Sequence, residues 1–128
     1  MPETATAALP ATAITWFEIP TANLARAQRF YERILGLPLG AVEFAGENIV
    51  IFPAQDGGVK GCLVETAHPS PHGTLIYLSV DGRIDQALEL TVTSGGRVDA
   101  PKSELAGVGF VARIIDSEGN RVGLHAIS

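Results

Sequence analysis

The segment ITWFEIPTANLARAQRFYERILG, residues 14–36, predicts a β-strand that leads almost directly into an α-helix. Successive side chains of a strand point to opposite faces, so Phe17 and Ile19 share an apolar face that is suited to a core. Trp16 and Glu18 share the other face. A carboxylate beside a large aromatic ring is costly on a face that only packs against a core. The pair therefore predicts that this second face borders a functional site.

The helix is predicted from its ends and from its periodicity. Asn23 is a favourable N-cap residue, and Gly36 can adopt the left-handed conformation that ends many helices. Between these two residues the apolar side chains recur at helical spacing. They predict one buried face, which consists of Leu24, Ala27, Tyr31, Ile34 and Leu35.

The chain then repeats this order of elements. The strand-like runs AVEFA, NIVIF and VKGCLVE complete a first βαβββ module. After an offset of about 60 residues the order restarts with TLIYLSV, the helix IDQALELTVTSGG, and the strands RVDAP, GFVARIID and RVGLHAI. The apolar stripe of the second helix is predicted to consist of Ile84, Ala87, Leu88, Thr91 and Val92. One helix and several antiparallel strands in each half predict an α+β fold with its helices on one side of the sheet.

The boundaries follow from this repeat. We predict one domain at residues 13–127, with module one at 13–66, a linker at 67–73 and module two at 74–127. Residues 1–12, rich in Ala, Thr and Pro, are predicted to form a flexible leader.

Composition limits the classes of function. The chain has 128 residues, of which 46% are hydrophobic and 18% charged, and these values suit one compact domain. A net charge of −5 without a cluster of basic residues argues against nucleic acid or an anionic membrane as a partner. No apolar run is long enough to span a bilayer. Cys62 is the only cysteine, which excludes an internal disulfide and favours a reducing, cytoplasmic location.

Three segments carry a resemblance to a known family. FEIPTANLARAQRFYERILGLPL, YLSVDGRIDQALELTVTSGGRV and the ending DSEGNRVGLHAIS are similar to the vicinal oxygen chelate superfamily. This superfamily includes glyoxalase I, extradiol dioxygenases and bleomycin-resistance proteins. The FYERILGL helix end and the turn formed by Asp116, Gly119, Asn120 and Arg121 are the most specific pieces. The resemblance implies two βαβββ modules whose curved sheets enclose a cavity, usually in a homodimer, with a small-molecule ligand.

The resemblance also implies where a divalent metal would bind in related enzymes. Those positions fall here on Trp16 in the first strand, on Leu75 or Ile76 in the first strand of module two, and on Gly123 in the last strand. A further position falls near Ile51 or Phe52. None of these side chains is a metal ligand, so we predict that the usual metal site is absent and that no cofactor is required.

Strand alternation predicts which side chains share the face of Trp16 and Glu18. They are Leu75, Tyr77 and Ser79 in the first strand of module two, Arg113 in the next-to-last strand, and Gly123 and His125 in the last strand. We predict Glu18 and His125 as catalytic acid/base groups. Trp16, Tyr77, Arg113 and Ser79 are the predicted substrate-binding residues, with Arg113 holding an anionic group.

Three functions are compatible with these residues. The first is a metal-independent enzyme, related to glyoxalases and of a lyase or isomerase type, and the Glu18–His125 pair favours it. The second is a protein that binds and sequesters a drug or metabolite without chemistry, with Trp16 and Tyr77 as stacking surfaces. The third is a metal enzyme whose ligands have shifted to Glu18, His125 and another residue. His68 and His72 are a weak metal signal by their spacing alone, and Cys62 is predicted to be an inert buried thiol.

Overall fold

A computed structural model describes residues 7–66 and 73–128. The predicted linker, except Gly73, and with it His68 and His72, therefore lies outside the described residues, as does the first half of the predicted leader. Module one consists of β1 (Ile14–Thr21), α1 (Leu24–Leu35), β2 (Gly40–Phe44), β3 (Glu47–Phe52) and β4 (Lys60–Glu65). Module two consists of β5 (Leu75–Ser79), α2 (Ile84–Thr93), β6 (Arg97–Leu105), β7 (Gly109–Ile115) and β8 (Arg121–Ala126). The predicted α+β fold with two βαβββ modules is confirmed.

The eight strands form one sheet in the order β2-β3-β4-β1-β5-β8-β7-β6. Within each module the first and last strands are parallel neighbours, β1 with β4 and β5 with β8. The two modules join where β1 and β5 run antiparallel at the centre of the sheet. This topology brings the first strand of each module, and with it Trp16 and Tyr77, to the middle of the sheet.

Both helices pack against one face of the sheet, which we call the helix face. Under α1, the buried residues Leu39, Val50 and Leu63 contact Leu24, Ala27 and Tyr31 of the helix region. Under α2, a second core unites Ile84 with Ala112, Leu124 and Ala126 of β7 and β8. Neither α1 nor α2 covers the opposite face of the sheet, which we call the cavity face.

The predicted ends of α1 are confirmed. The Asn23 side chain accepts a hydrogen bond from the backbone N–H of Arg26, at 2.9 Å, and Gly36 is left-handed with φ of 72°. The predicted buried faces of the helices are partly wrong. Ile34, Leu35 and Val92 are exposed by 59%, 48% and 58%, because they lie in the last turn of each helix, beyond the two buried cores.

One strand is longer than predicted. The run RVDAP predicts a strand over residues 97–101. In the structure β6 continues to Leu105. It is the edge strand and pairs only with β7, with shifts of register between Val98 and Ser103. Strands tolerate proline at the edge of a sheet and at irregularities of register, so β6 can continue through Pro101.

Candidate functional site

The cavity face encloses a cavity of about 320 Å³ that is lined by both modules. Module one supplies Trp16, Glu18 and Cys62 from its central strands, and module two supplies Tyr77 and His125. Most of the remaining wall is aliphatic or aromatic. A largely apolar cavity with a few convergent polar groups is typical of a small-molecule site.

The alternation of β1 accounts for the unusual pairing of Trp16 with Glu18. Both side chains line the cavity, whereas Ile19 packs into the core under α1. Trp16 lies opposite Tyr77 of β5 in the antiparallel pair. Glu18 lies opposite Cys62 of β4. The face of β1 that carries Trp16 and Glu18 therefore borders the cavity, as the sequence predicted.

Glu18 is the carboxyl group at the centre of the cavity wall. The Tyr77 hydroxyl donates to its Oε2 over 3.4 Å, a long hydrogen bond. Burial raises the pKa of Glu18 above its usual value, and the positive charges of Arg113 and Arg121 and the hydrogen bond from Tyr77 oppose that shift. The carboxyl group therefore holds a proton to higher pH than an exposed glutamate would.

The two neighbours of Glu18 are held in their protonated forms. Burial raises the pKa of Tyr77 to about 12, and the charge of Glu18 acts in the same direction. Burial likewise raises the pKa of the Cys62 thiol to about 12, again with a contribution from Glu18. At neutral pH both groups keep their protons, and the Tyr77 hydroxyl donates to Glu18. Glu18 is consequently better suited to proton transfer than either of them.

His125 is fixed by a backbone contact. Its Nε2 lies 2.8 Å from the carbonyl oxygen of Val108, in the turn between β6 and β7. Because a carbonyl oxygen only accepts, Nε2 carries the proton and Nδ1 is the acceptor in the neutral ring. Nδ1 is buried and has no hydrogen-bond partner among the described residues. The imidazole thus lines the cavity with an unused acceptor.

Arg113 and Ser79 are on the cavity face by alternation but do not line the cavity. Nε of Arg113 lies 3.5 Å from Oδ2 of Asp99 on β6. Ser79 lies beside His125 in the parallel pairing of β5 with β8, and its backbone N–H donates to the carbonyl oxygen of Ala13. The cavity therefore brings together four of the six predicted site residues, namely Trp16, Glu18, Tyr77 and His125.

Sequence reasoning missed the residues that close the rim of the cavity. Val42, Phe44 and Glu47 come from the β2–β3 hairpin, and Leu105 and Val108 come from the β6–β7 hairpin. Val42 and Phe44 are spaced by two in a predicted strand, which was the available signal. The sequence does not show that this hairpin folds over the cavity from the edge of the sheet.

The positions where related enzymes bind metal have a different geometry here. Leu75 is buried, and Trp16 is part of the cavity wall. The ring of Tyr77 lies so close to Gly123 that a Cβ atom at that position would collide with it. Across residues 7–66 and 73–128, no three His, Cys, Asp or Glu side chains are grouped so that they could hold a metal ion. These residues do not fit a metal of the family type.

Two βαβββ modules around a shared cavity define an α+β protein with a small-molecule site between its halves. Comparison with known proteins gives its family. Residues 13–124 match the model of the Glyoxalase/Bleomycin resistance protein/Dioxygenase superfamily. The chain belongs to this family.

Relatives and solved structures agree with this assignment. The chain is 30% identical over 107 residues to the protein named "Putative glyoxylase CFP32" of Mycobacterium tuberculosis. The alignment covers 83% of this chain but 41% of that relative, so the chain spans less than half the length of the curated protein it matches.

Two solved structures share the fold. Methylmalonyl-CoA epimerase from Mycobacterium tuberculosis superimposes with a TM-score of 0.63 at 15% identity, over 91% of this chain and 88% of that one. BphC, a halotolerant catechol dioxygenase, gives a TM-score of 0.65 at 16% identity, over 89% of this chain and 39% of that one. In the described part of the chain, neither helix has the length and apolar character needed to cross a membrane.

Proposed function

We propose that this protein binds a small organic molecule in the cavity between its modules and acts on it by proton transfer without a metal. The observation that carries the proposal is the position of Glu18. Its carboxyl group lies in a largely apolar wall, next to a phenol that keeps its proton. Burial raises its pKa above the usual value of a glutamate, and a raised pKa is a property of carboxyl groups that act as general acids or bases.

The other lining residues are assigned supporting roles. His125 is the second acid/base candidate through Nδ1, the ring nitrogen that is not bound to Val108. Trp16 and Tyr77 supply aromatic contacts to the substrate, and the Tyr77 hydroxyl orients the Glu18 carboxyl group. Ser79 and Arg113 lie outside the lining, so a role in binding requires a ligand that extends beyond the cavity.

Metal independence is part of the same proposal. It is supported by the side chains at the family positions, none of which is a metal ligand. These positions are Trp16, Leu75 or Ile76, Gly123, and Ile51 or Phe52. The alternative with shifted ligands uses Glu18 and His125. It has less support, because Nε2 of His125 is engaged by a backbone carbonyl and no third ligand lies with these residues in the described part of the chain.

A second candidate function is binding without chemistry, as in a protein that sequesters a drug or metabolite. The aromatic and aliphatic walls favour it, because Trp16, Phe44 and Ile49 could enclose a planar ligand without any proton transfer. The two candidates differ in what they require of Glu18. An enzyme needs the carboxyl group to exchange a proton, whereas a binding protein needs only its shape and polarity.

The experiment that tests the proposal is a ligand screen followed by proton exchange. A metabolite library is screened by thermal shift in the presence of a chelator, since a ligand of the folded state raises the melting temperature. Ligands that bind are incubated with the protein in deuterated water, and mass spectrometry measures deuterium at carbon. We expect exchange with the wild type and none with Glu18→Gln, although the variant still binds.

Glu43→Gln is the matched control, because Glu43 is an exposed carboxylate of the edge strand β2 and does not line the cavity. It should exchange protons like the wild type. A ligand that stabilises the protein but undergoes no reaction would replace the enzyme proposal with the binding one.

A further inference from the structure

Arg113 and Arg121 form a pair of cations on the cavity face. In β7, Val111 lines the cavity and Ala112 belongs to the core under α2, so Arg113 shares the face of Val111. In β8, the same alternation places Arg121 on the face of His125. The two strands are antiparallel, with Arg113 opposite Gly123 and Arg121 opposite Ile115. The arginines are therefore diagonal neighbours, and residues in this relationship lie about 7–8 Å apart in a regular antiparallel sheet.

Some N–H groups of Arg113 and Arg121 have no hydrogen-bond acceptor. Nε of Arg113 and Nε of Arg121 are both buried without a hydrogen-bond partner. The 3.5 Å contact of Arg113 with Asp99 is the one ion pair of either arginine among the described residues. Arg113, whose side chain is 41% exposed, thus has one carboxylate neighbour, and Arg121 has no ion pair among the described residues. Buried N–H groups without an acceptor cost free energy, so an incoming acceptor at this position is favourable.

The pair lies next to the cavity rather than apart from it. Strand pairing places Arg113 beside Gly123, and Gly123 lies beside Tyr77, which lines the cavity. The Tyr77 ring lies over Gly123, which separates Tyr77 from Arg113 in the strand register. The charges of both arginines also act on Glu18, against the effect of its burial. Neither arginine lines the cavity itself, so a ligand held there has to extend past the Tyr77 ring to reach the guanidinium groups.

We propose that Arg113 and Arg121 bind a carboxylate of a ligand whose apolar part occupies the cavity. Two guanidinium groups on adjacent strands offer the planar donor geometry that matches a carboxylate. One added carboxylate supplies the negative charge that Asp99 alone does not. The substrate class is consequently an aromatic or aliphatic monocarboxylic acid. This inference rests on the proposed use of the cavity as a ligand site.

The alternative ligand is a cation. Glu18 and Glu47 are the charged residues that line the cavity itself, and no Lys or Arg is among the described lining. An apolar amine would place its charge on these carboxylates. We favour the carboxylic acid because Nε of both arginines lacks an acceptor, whereas the Glu18 carboxyl group already accepts the Tyr77 hydroxyl and lies in a largely apolar wall. Glu47 is exposed at the rim and is screened by solvent.

The test uses three probes that share one apolar body and differ in the head group: phenylpropionate, phenylpropionamide and phenylpropylamine. Calorimetry at low salt measures their binding to the wild type. We expect phenylpropionate to bind more tightly than the neutral amide by about tenfold or more, as for a carboxylate held by two charged donors. The double variant Arg113→Gln/Arg121→Gln should lose that preference while it still binds the amide.

Controls separate charge from fold and geometry. Arg29→Gln removes an exposed arginine of α1 on the helix face and should keep the preference. Arg113→Lys keeps the charge but loses the planar fork, so it should retain only part of the preference. Thermal melts of every variant verify that it is folded.

Other outcomes have defined meanings. Equal binding of carboxylate and amide would overturn the arginine assignment but leave the cavity as a ligand site. Tighter binding of the amine would assign the site to Glu18 and Glu47 instead. Failure of all three probes at millimolar concentration would overturn the proposed substrate class, while the library screen with deuterium exchange would still decide the proposed function.

Discussion

The ring of Tyr77 lies against the backbone of Gly123, its partner in the parallel pairing of β5 with β8. Module one has a similar contact on the other face of the sheet, where the ring of Phe17 lies against Gly61 of β4. In both modules an aromatic side chain of the first strand thus requires glycine in the last strand. In module two this contact also places the Tyr77 hydroxyl next to Glu18.

The first prediction concerns this contact. Gly123→Ala should displace the Tyr77 ring and destabilise the protein by about 1–3 kcal/mol, the usual cost of overpacking. Urea denaturation followed by circular dichroism measures the change. Gly40→Ala is the control, because Gly40 begins β2 and an added Cβ there meets nothing within 4 Å. It should be neutral or slightly stabilising. Equal effects of the two substitutions would contradict the packing argument.

A double variant tests the same contact more directly. Tyr77→Leu removes the ring that the new methyl group displaces. The cost of Gly123→Ala should therefore be smaller in the Tyr77→Leu background than in the wild type. Additive effects would show that the two residues do not interact.

The second prediction concerns pH. Because burial raises the pKa of Glu18 in the folded state above its value of 4.5 in the unfolded chain, folding favours the protonated carboxyl group. Its contribution to stability is fully present below pH 4.5 and is lost as pH rises through the raised pKa. Glu18→Gln has no such loss. The variant should therefore gain stability relative to the wild type as pH rises from about 4 to about 8.

Denaturation of both proteins across this pH range measures the effect, and Glu43→Gln controls for the removal of one negative charge. A constant difference between wild type and Glu18→Gln at all pH values would show that Glu18 is not desolvated in the folded protein.

The third prediction concerns Cys62, which is 1% exposed and whose thiol pKa burial raises to about 12. At pH 8 only about one thiol in ten thousand is ionised. Reaction with Ellman's reagent should therefore be very slow in the folded protein and immediate after denaturation. Rapid reaction of the folded protein would mean that the cavity opens far enough to ionise the thiol.

The fourth prediction concerns assembly. Phe30 and Ile34 are adjacent on the outer side of α1 and are exposed by 56% and 59%. Exposed apolar side chains of this size in one patch are typical of an interface. We expect a two-fold symmetric dimer in light scattering at micromolar concentration. The double variant Phe30→Ser/Ile34→Ser should be monomeric if this patch forms the interface. A monomeric wild type would contradict the prediction.

The sequence predicted the local elements well because each has its own physical signal. The Asn23 cap, the left-handed Gly36 and the alternation of β1 all act over a few residues. Alternation also predicted that Trp16, Glu18, Tyr77 and His125 share a face. The family resemblance supplied the pairing of the modules, which no local signal contains.

The features of the site that the sequence did not predict depend on contacts between residues far apart in the chain. That the Tyr77 hydroxyl bonds to Glu18, and that Nε2 of His125 bonds to Val108, follows from strand register and from the fold of a hairpin. Register also explains why Arg113 shares a face with the cavity residues without lining the cavity itself. Strand alternation gives the face of a residue but not its distance from the centre of that face.

The last prediction concerns metal. Trp16, Leu75 and Gly123 occupy the family's metal positions, and the Tyr77 ring fills the space beside Gly123. We expect elemental analysis of protein expressed with supplemented Zn, Ni, Mn and Fe to find no stoichiometric metal. The melting temperature should not change with a chelator, since a tightly bound metal stabilises the folded state by mass action. Glu18→Ala decides the alternative with shifted ligands. One tightly held equivalent of metal in the wild type, lost in Glu18→Ala but retained in Glu43→Ala, would establish Glu18 as a metal ligand and exclude the metal-independent mechanism.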